Sequence, residues 1–243
     1  MSEKNRVEVC LTPKMLRSPG EPGEKIVVVV DILRASTTIC TALEYGLESI
    51  IPVTSEEAAR EWKKKGFVVA AEREGIILDF ADYGNSAFHF MNDKLKGKTL
   101  VYSTTNGTEA IAAASGEGSV VIGAFINRNA LTEYLFIQDK DVLILCSGWK
   151  GEFCLEDTLF AGLLAVSLAS SGSYTVKGDA ALMAVDLWEL ARNDVMGYLS
   201  KADHRKRLQR LKLDDILEYS FGIDKVKAVP VLRDGRIVDA NRN

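Results

Sequence analysis

Three times in this chain an unbroken apolar run ends in a polar cluster and gives way to a helical pattern. No other feature constrains the fold as much. The first run, Ile26 to Val30, leads into Asp31-Ile32-Leu33-Arg34-Ala35-Ser36-Thr37-Thr38. The second, Thr99 to Tyr102, leads into Ser103-Thr104-Thr105-Asn106-Gly107-Thr108. The third, Val142 to Leu145, leads into Cys146-Ser147-Gly148 and on through Trp149-Lys150-Gly151-Glu152-Phe153 to Cys154-Leu155-Glu156-Asp157. Short β-branched runs without alternation read as strands buried on both faces of a parallel sheet. Open α/β sheets bind ligands at the carboxyl ends of such strands, where arriving helix N-termini offer unpaired N–H groups to an anion. The three clusters are therefore expected to face one crevice.

The rest of the chain fits this alternation. Val7 to Leu11 reads as a short strand, and Ser18-Pro19-Gly20-Glu21-Pro22-Gly23-Glu24 as a loop. Ser36 or Thr37 is a candidate cap for a helix running to Gly46. Thr54-Ser55-Glu56-Glu57 has capping-box spacing and opens a helix ending near Gly66, followed by a strand over Phe67 to Ala71. Asn85-Ser86 starts a helix through Met91, and Ser119 to Phe125 is a strand with Asn127 capping the next helix. Further on, helices are expected over Asp179 to Arg192, Ser200 to Leu211 and Asp214 to Ser220. The tail from Val226 to Val238 reads as a hairpin turning on Asp234-Gly235. The fold class is α/β, a mostly parallel or mixed sheet with helices on both faces and antiparallel additions at its ends. Residues 1–243 read as one domain, or as two closely packed α/β lobes without a definable boundary.

The net charge of −4 and the lack of a basic stripe with interleaved aromatics argue against nucleic acid as a partner. The longest greasy stretch, Leu159 to Ala169, is too short to span a bilayer, and residues 1–6 open no signal region, so no membrane partner is expected. Cys10, Cys40, Cys146 and Cys154 show no C-x-x-C spacing and read as reduced thiols, with a cytoplasmic location. Two histidines, His89 and His204, weigh against a multi-histidine metal centre. A homodimer is the base-rate expectation for assembly. The chain holds no P-loop, no complete dinucleotide fingerprint, no D-x-D after Asp31, no Arg at C-x5-R spacing from Cys10 and no G-x-S-x-G elbow.

Each polar cluster admits a functional and a structural role. Asp31 closes a buried strand and is either a metal ligand, base or nucleophile, or a turn residue. Glu156 and Asp157 either complement a helix dipole or share a hard-cation site with Asp31, and because adjacent side chains diverge, one of the two is expected to reach the metal. Thr104, Thr105, Asn106, Gly107 and Thr108 suit either an anion nest or a capped strand–helix turn. Arg34 is placed to clamp an anion bidentately or to pair with Asp31. Arg73, Asn85, Lys150 and the basic run holding His204 and Arg207 are candidate substrate contacts or solvated charges. His89, between Phe88 and Phe90, is expected to be packed, and Cys146 to be a buried thiol with a nucleophilic role as the alternative.

Taken in order, the three clusters with Gly84-Asn85-Ser86, Glu156-Asp157-Thr158-Leu159-Phe160-Ala161-Gly162, Gly178-Asp179-Ala180, His204, and Asp224 ahead of Val229-Pro230 resemble the 2-phosphosulfolactate phosphatase family along nearly the whole chain. Two stretches depart from its pattern: Glu72-Arg73-Glu74-Gly75 matches only loosely, and Arg and Lys residues follow His204 where a Gly is expected. The resemblance implies a Mg²⁺-dependent acid phosphatase with the family's own α/β fold. Its reaction is hydrolysis of 2-phospho-3-sulfolactate to 3-sulfolactate and phosphate, a step of coenzyme M biosynthesis in methanogenic archaea. On that reading Asp31, Glu156 and Asp157 are the catalytic and metal-holding acids. Ser36, Thr37 and the cationic and loop residues named above then bind substrate. The alternatives are a Cys146-dependent hydrolase and a small-anion binding protein without chemistry.

Overall fold

The computed structural model describes residues 4–16 and 25–242, so the Pro/Gly stretch at 18–24 lies outside the described residues. In chain order the elements are β1 (Asn5–Cys10), β2 (Lys25–Val30), α1 (Ala35–Glu44), β3 (Ser49–Pro52), α2 (Glu56–Lys64), β4 (Val68–Arg73) and β5 (Ile76–Ile77). Then follow β6 (Thr99–Ser103), α3 (Gly107–Ala114), β7 (Ser119–Gly123), α4 (Arg128–Gln138), β8 (Asp141–Cys146) and α5 (Leu155–Ala169). The C-terminal part holds β9 (Tyr174–Val176), α6 (Asp179–Ala191), α7 (Val195–Tyr198), α8 (Asp203–Arg210), α9 (Leu217–Ser220), β10 (Pro230–Arg233) and β11 (Arg236–Asp239).

All strands join one sheet in the order β5-β4-β6-β3-β11-β10-β7-β2-β8-β1-β9. It consists of two parallel blocks, β4-β6-β3 and β7-β2-β8-β1-β9, with β5 added antiparallel at one edge. The C-terminal hairpin was expected at a sheet end. It sits instead in the middle, where β11 pairs antiparallel with β3 and β10 with β7. Asp234 and Gly235 both take positive φ, +49° and +74°, as a tight hairpin turn between right-twisted strands requires.

Residues 26–30 of β2 are all buried. Successive side chains of a strand point to opposite faces, so both faces of the sheet are covered. α5 packs against β1, β2, β8 and β9 and is buried almost all round. Gly162 lets it approach α6, since a Cβ there would collide with the Ala184 carbonyl. A smaller apolar cluster of Ile51, Ala59, Val69, Ala71 and Val101 seats α2 on the β3-β6-β4 block. Among the described residues no helix is long and apolar enough to cross a membrane.

Two connections matter most for function. β2 to β3 through α1 and β6 to β7 through α3 each pass from one parallel block to the other over the hairpin. α1 contacts β10 and β11, and α3 contacts β2, β7 and β8. Both crossovers start at strand carboxyl ends, and the loops of both blocks therefore meet above the hairpin.

Candidate active site

The first loop is built around Asp31. Its backbone N–H donates to Ser36 Oγ at 2.8 Å, its carbonyl accepts from Ser36 N at 2.9 Å, and its Oδ1 accepts from Arg34 N at 3.1 Å. Thr37 Oγ1 donates to the Ile32 carbonyl at 2.9 Å. The hydroxyls of Ser36 and Thr37, expected to cap α1 or touch substrate, are thus spent on holding this loop. Arg34 crosses the site and donates from Nε to the Asn85 carbonyl at 2.6 Å, leaving its two terminal nitrogens without hydrogen bonds among the described residues. The Asn85 amide oxygen accepts from Tyr102 OH.

The second loop approaches Asp31 through Gly107. A Cβ at this glycine would lie 2.9 Å from Asp31 Oδ2 and collide with Ala35. Thr104 and Thr108 bond to each other, with Thr108 Oγ1 donating to the Thr104 carbonyl at 2.9 Å. Thr105 N donates to Glu72 Oε1 at 2.9 Å, and Glu74 N donates to Thr105 Oγ1 at 2.8 Å, tying β4 to β6. Arg73 points away from this centre, donating to the Thr54 carbonyl at 3.1 Å and Ser103 Oγ at 3.0 Å. Arg73 thus splints neighbouring strand ends and does not line the cavity described below.

The third loop separates the two acids of α5. Asp157 Oδ1 accepts from Ile32 N at 2.9 Å, and Oδ2 accepts from Gly148 N at 3.1 Å and Ser147 Oγ at 3.2 Å. Both of its oxygens are consumed in joining the first loop to the third. Glu156 turns elsewhere: Oε1 pairs with His204 Nδ1 at 2.6 Å, while Oε2 is buried without a partner. The His204 ring, carried by α8, stacks on Trp149 at 6.0 Å with an interplanar angle of 10°. Arg207 lies over the same indole at 5.3 Å and donates to the Glu74 carbonyl at 2.5 Å. Lys150 is paired with Glu74, and its N–H donates to Asn106 Oδ1 at 3.2 Å.

These contacts close a small cavity of about 20 Å³ lined by Asp31, Arg34, Glu72, Thr105, Asn106, Trp149, His204 and Arg207 among others. Asp31 is 8% exposed. Burial pushes its carboxyl up to about 6; His204 opposes that shift and Glu72 adds to it. Burial also raises Asp157, reinforced by Glu156 and Asp31 and resisted by the N–H groups of Ile32 and Gly148. Carboxyls perturbed by burial and by one another in a cleft are a signature of functional sites. Cys146 is fully buried at the end of β8, and burial pushes its thiol well above its ordinary range, the environment of a packed thiol and not of an activated one.

The sequence profile of the family described as 2-phosphosulpholactate phosphatase matches residues 10–235. The chain belongs to this family. Among its relatives, a probable 2-phosphosulfolactate phosphatase from Prochlorococcus marinus is 39% identical over 215 residues, covering 85% of this chain and 88% of that protein. Proteins of the same description from Microcystis aeruginosa and Thermotoga maritima are each 35% identical, covering 87% and 91% of this chain and 90% and 95% of theirs. The 2-phosphosulfolactate phosphatases are phosphoric monoester hydrolases, and the matched range contains every residue of the cavity.

Of the residues singled out from the sequence, the fold brings Asp31, Arg34, Asn85, Thr105, Asn106, His204 and Arg207 to one cavity, with Gly107 shaping its floor beside Asp31. Ser36, Thr37, Thr104, Thr108 and Asp157 hold the loops that form it. His89 is exposed and lies against Tyr83, not packed as expected. Three participants were not singled out: Glu72, Trp149 and Cys154. Glu72 had a usable signal, because an acid directly after the apolar run 67–71 repeats the pattern that marks Asp31. Trp149 and Cys154 had none, since their partner His204 lies about fifty residues further along the chain.

Proposed function

We propose that this member of the family hydrolyses 2-phospho-3-sulfolactate to 3-sulfolactate and phosphate with Mg²⁺ as cofactor. The observation that carries the reading is the meeting of Asp31 and Arg34, from the carboxyl end of β2, with Glu72 and Thr105 from the ends of β4 and β6 in the other parallel block, and with His204, the partner of Glu156, around one cavity. The donor set fits a hard cation: Glu156 Oε2 is buried without a hydrogen-bond partner among the described residues, and the Asp31 carboxyl lines the cavity, held there by the backbone N–H groups of Arg34 and Ala35. Asp157 does not fit as a ligand, because three donors already occupy its oxygens. Asp31 and Glu156 would hold the ion. When bound, Mg²⁺ supplies positive charge to the phosphoryl oxygens, the main electrostatic requirement of phosphate monoester hydrolysis.

The chain's own groups supply the rest. Arg34, with two free terminal nitrogens, offers a planar pair of donors to the carboxylate or sulfonate. Gly107 opens α3 beside Asp31, and its N–H has no intrahelical partner, so a phosphate there would gain from it, whereas Thr108 N already donates to Thr104 Oγ1. Glu156 orients His204 through Nδ1. Nε2 is then the ring nitrogen free to give a proton to the departing sulfolactate oxygen. Trp149, stacked on that ring, keeps it fixed and shields it from water.

The test is phosphate release from 2-phospho-3-sulfolactate and a panel of other phosphorylated 2-hydroxy acids, with Mg²⁺ and with chelator. The expected result is Mg²⁺-dependent turnover that favours the sulfonate. Equal turnover of phospholactate would remove the sulfonate from the reading, and undiminished turnover in chelator would remove the metal.

A further inference from the structure

Cys154 stands at the N-cap of α5 with extended backbone, φ −115° and ψ 130°, and its side chain makes no capping bond. Ser, Thr, Asp or Asn is the usual choice at such a position, because an oxygen there satisfies an orphan helix N–H. The thiol faces a different environment. Ligand atoms of Cys154, Glu156 and His204 lie within 4.8 Å of one another, and Cys154 and Glu156 are 4% and 1% exposed. Glu156 Oε2 is buried without a close hydrogen-bond partner among the described residues, and the Cys154 thiol lies beside the Glu156 carboxylate.

From this geometry we infer that Cys154, Glu156 and His204 form a site for a thiophilic divalent transition metal of the zinc class. The donor set is one sulfur, one oxygen and one imidazole nitrogen, the mixture that zinc accepts and magnesium does not. Zinc bonds of about 2.0 to 2.3 Å in tetrahedral array place ligand atoms about 3.3 to 3.8 Å apart, so the cluster needs only small side-chain adjustments from its 4.8 Å envelope. Burial and the nearby Glu156, Asp157 and Asp31 carboxyls keep the metal-free Cys154 thiol protonated, so the thiolate forms only with the cation beside it: binding displaces the thiol proton to solvent and forms a metal–thiolate bond, with no change of oxidation state. The fourth position stays open to water or a substrate oxygen. Because Glu156 also belongs to the hard-cation site proposed above, the two metals exclude each other. Zinc is therefore an inhibitor of the magnesium-supported reaction, a consequence that rests on the proposed phosphatase reading, whereas the binding itself does not.

Metal-free protein titrated with Co²⁺ should develop the d–d bands of four-coordinate cobalt and a near-ultraviolet thiolate-to-cobalt charge-transfer band, saturating at one equivalent and bleached by Zn²⁺. Cys154→Ser, which keeps an N-cap oxygen, should remain folded by circular dichroism and lose the charge-transfer band. His204→Gln should keep that band and bind cobalt at least tenfold more weakly. No charge-transfer band in folded wild-type protein, or a band of undiminished strength in folded Cys154→Ser, would overturn the assignment. In phosphate-release assays, Zn²⁺ should inhibit the wild type at concentrations at least tenfold below those needed for Cys154→Ser. A cobalt band without any turnover would leave the metal site standing and defeat the phosphatase reading; Mg²⁺-dependent turnover without a cobalt band would do the reverse.

Discussion

Asp31 is held where ionisation is costly: it is 8% exposed, and Glu72 adds negative charge nearby while His204 opposes the shift. Burial pushes its carboxyl up to about 6 in the folded chain, against 3.8 as the ordinary value. A raised carboxyl favours the folded state below the unfolded pKa, and that advantage is lost as pH rises through the folded pKa. Between about pH 4 and pH 6, metal-free protein should therefore lose up to about 3 kcal/mol from this residue. Asp31→Asn escapes the loss. The variant should melt higher than wild type at pH 7 in chelator, with the gap closing near pH 4, while phosphate release falls by about two orders of magnitude or more. Melting curves at the two pH values check the first part, and a gap independent of pH would refute it. Gly107 makes a companion case. Its missing Cβ is what admits Asp31 Oδ2 and Ala35 Cβ. Gly107→Ala should destabilise by about 1–3 kcal/mol through overpacking and cut turnover by displacing the Asp31 carboxylate; full activity with unchanged stability would contradict this packing.

At the scale of elements, Asp157 shows how two loops distant in sequence become one site. One carboxylate satisfies Ile32 N from the β2–α1 loop and Gly148 N from the β8–α5 loop. Asp157→Ala leaves two backbone donors buried without partners and should cost about 2–4 kcal/mol. Asp157→Asn keeps one acceptor and should recover part of that. Denaturant melts rank the three proteins, and an alanine variant as stable as wild type would show the brace to be idle. The sequence announced this junction only in part. An acid pair at a helix start is visible, and the divergence of neighbouring side chains separates their roles, but which acid turns inward depends on where Ile32 lies. The long strands were legible because Ile26–Val30 and Val142–Leu145 are unbroken and apolar. The short ones were not: β3 closes on Pro52, β5 has two exposed residues and β9 has three residues in all, too few for any period to register. The cap of α2 is Ser55, accepting from Ala58 N at 3.1 Å, one residue past the Thr54 that capping-box spacing selects. Two hydroxyl residues in a row offer the same local chemistry, and backbone direction chooses between them. Asn127 does not cap α4 through its side chain; it bonds Ala124 N and the Ala228 carbonyl instead, anchoring the tail to β7. Asp224 takes over the capping, accepting from Asn129 N at 2.7 Å.

Across the whole molecule, the C-terminal hairpin decides whether the two parallel blocks share a site at all. A tail hairpin with a D-G turn is plain in the sequence, but its place at the centre of the sheet is not, because a strand's partner is chosen by available edges and not by its own pattern. β3 and β7 each end a parallel block, and without β11 and β10 both would present open edges under the α1 and α3 crossovers. Val229, Val231 and Ile237 bury against the main core, at 1%, 4% and 0% exposure, so the hairpin also fills volume that nothing else reaches. A chain stopped after Lys225 should lose cooperative melting and associate through its two bare strand edges, since unpaired edges template intermolecular pairing. A milder probe keeps the edges covered: Ile237→Ala should lower stability by about 2–4 kcal/mol, the cost of truncating a fully buried branched side chain, while leaving the protein unassociated. Size-exclusion chromatography and thermal melts separate the two outcomes. If the shortened chain stayed monomeric and melted cooperatively at the wild-type temperature, the blocks would be independent lobes and the hairpin an ornament. If it failed as expected while Ile237→Ala merely softened, the bridge would be what brings Asp31 and Glu72, from opposite sides of the hairpin, to one cavity.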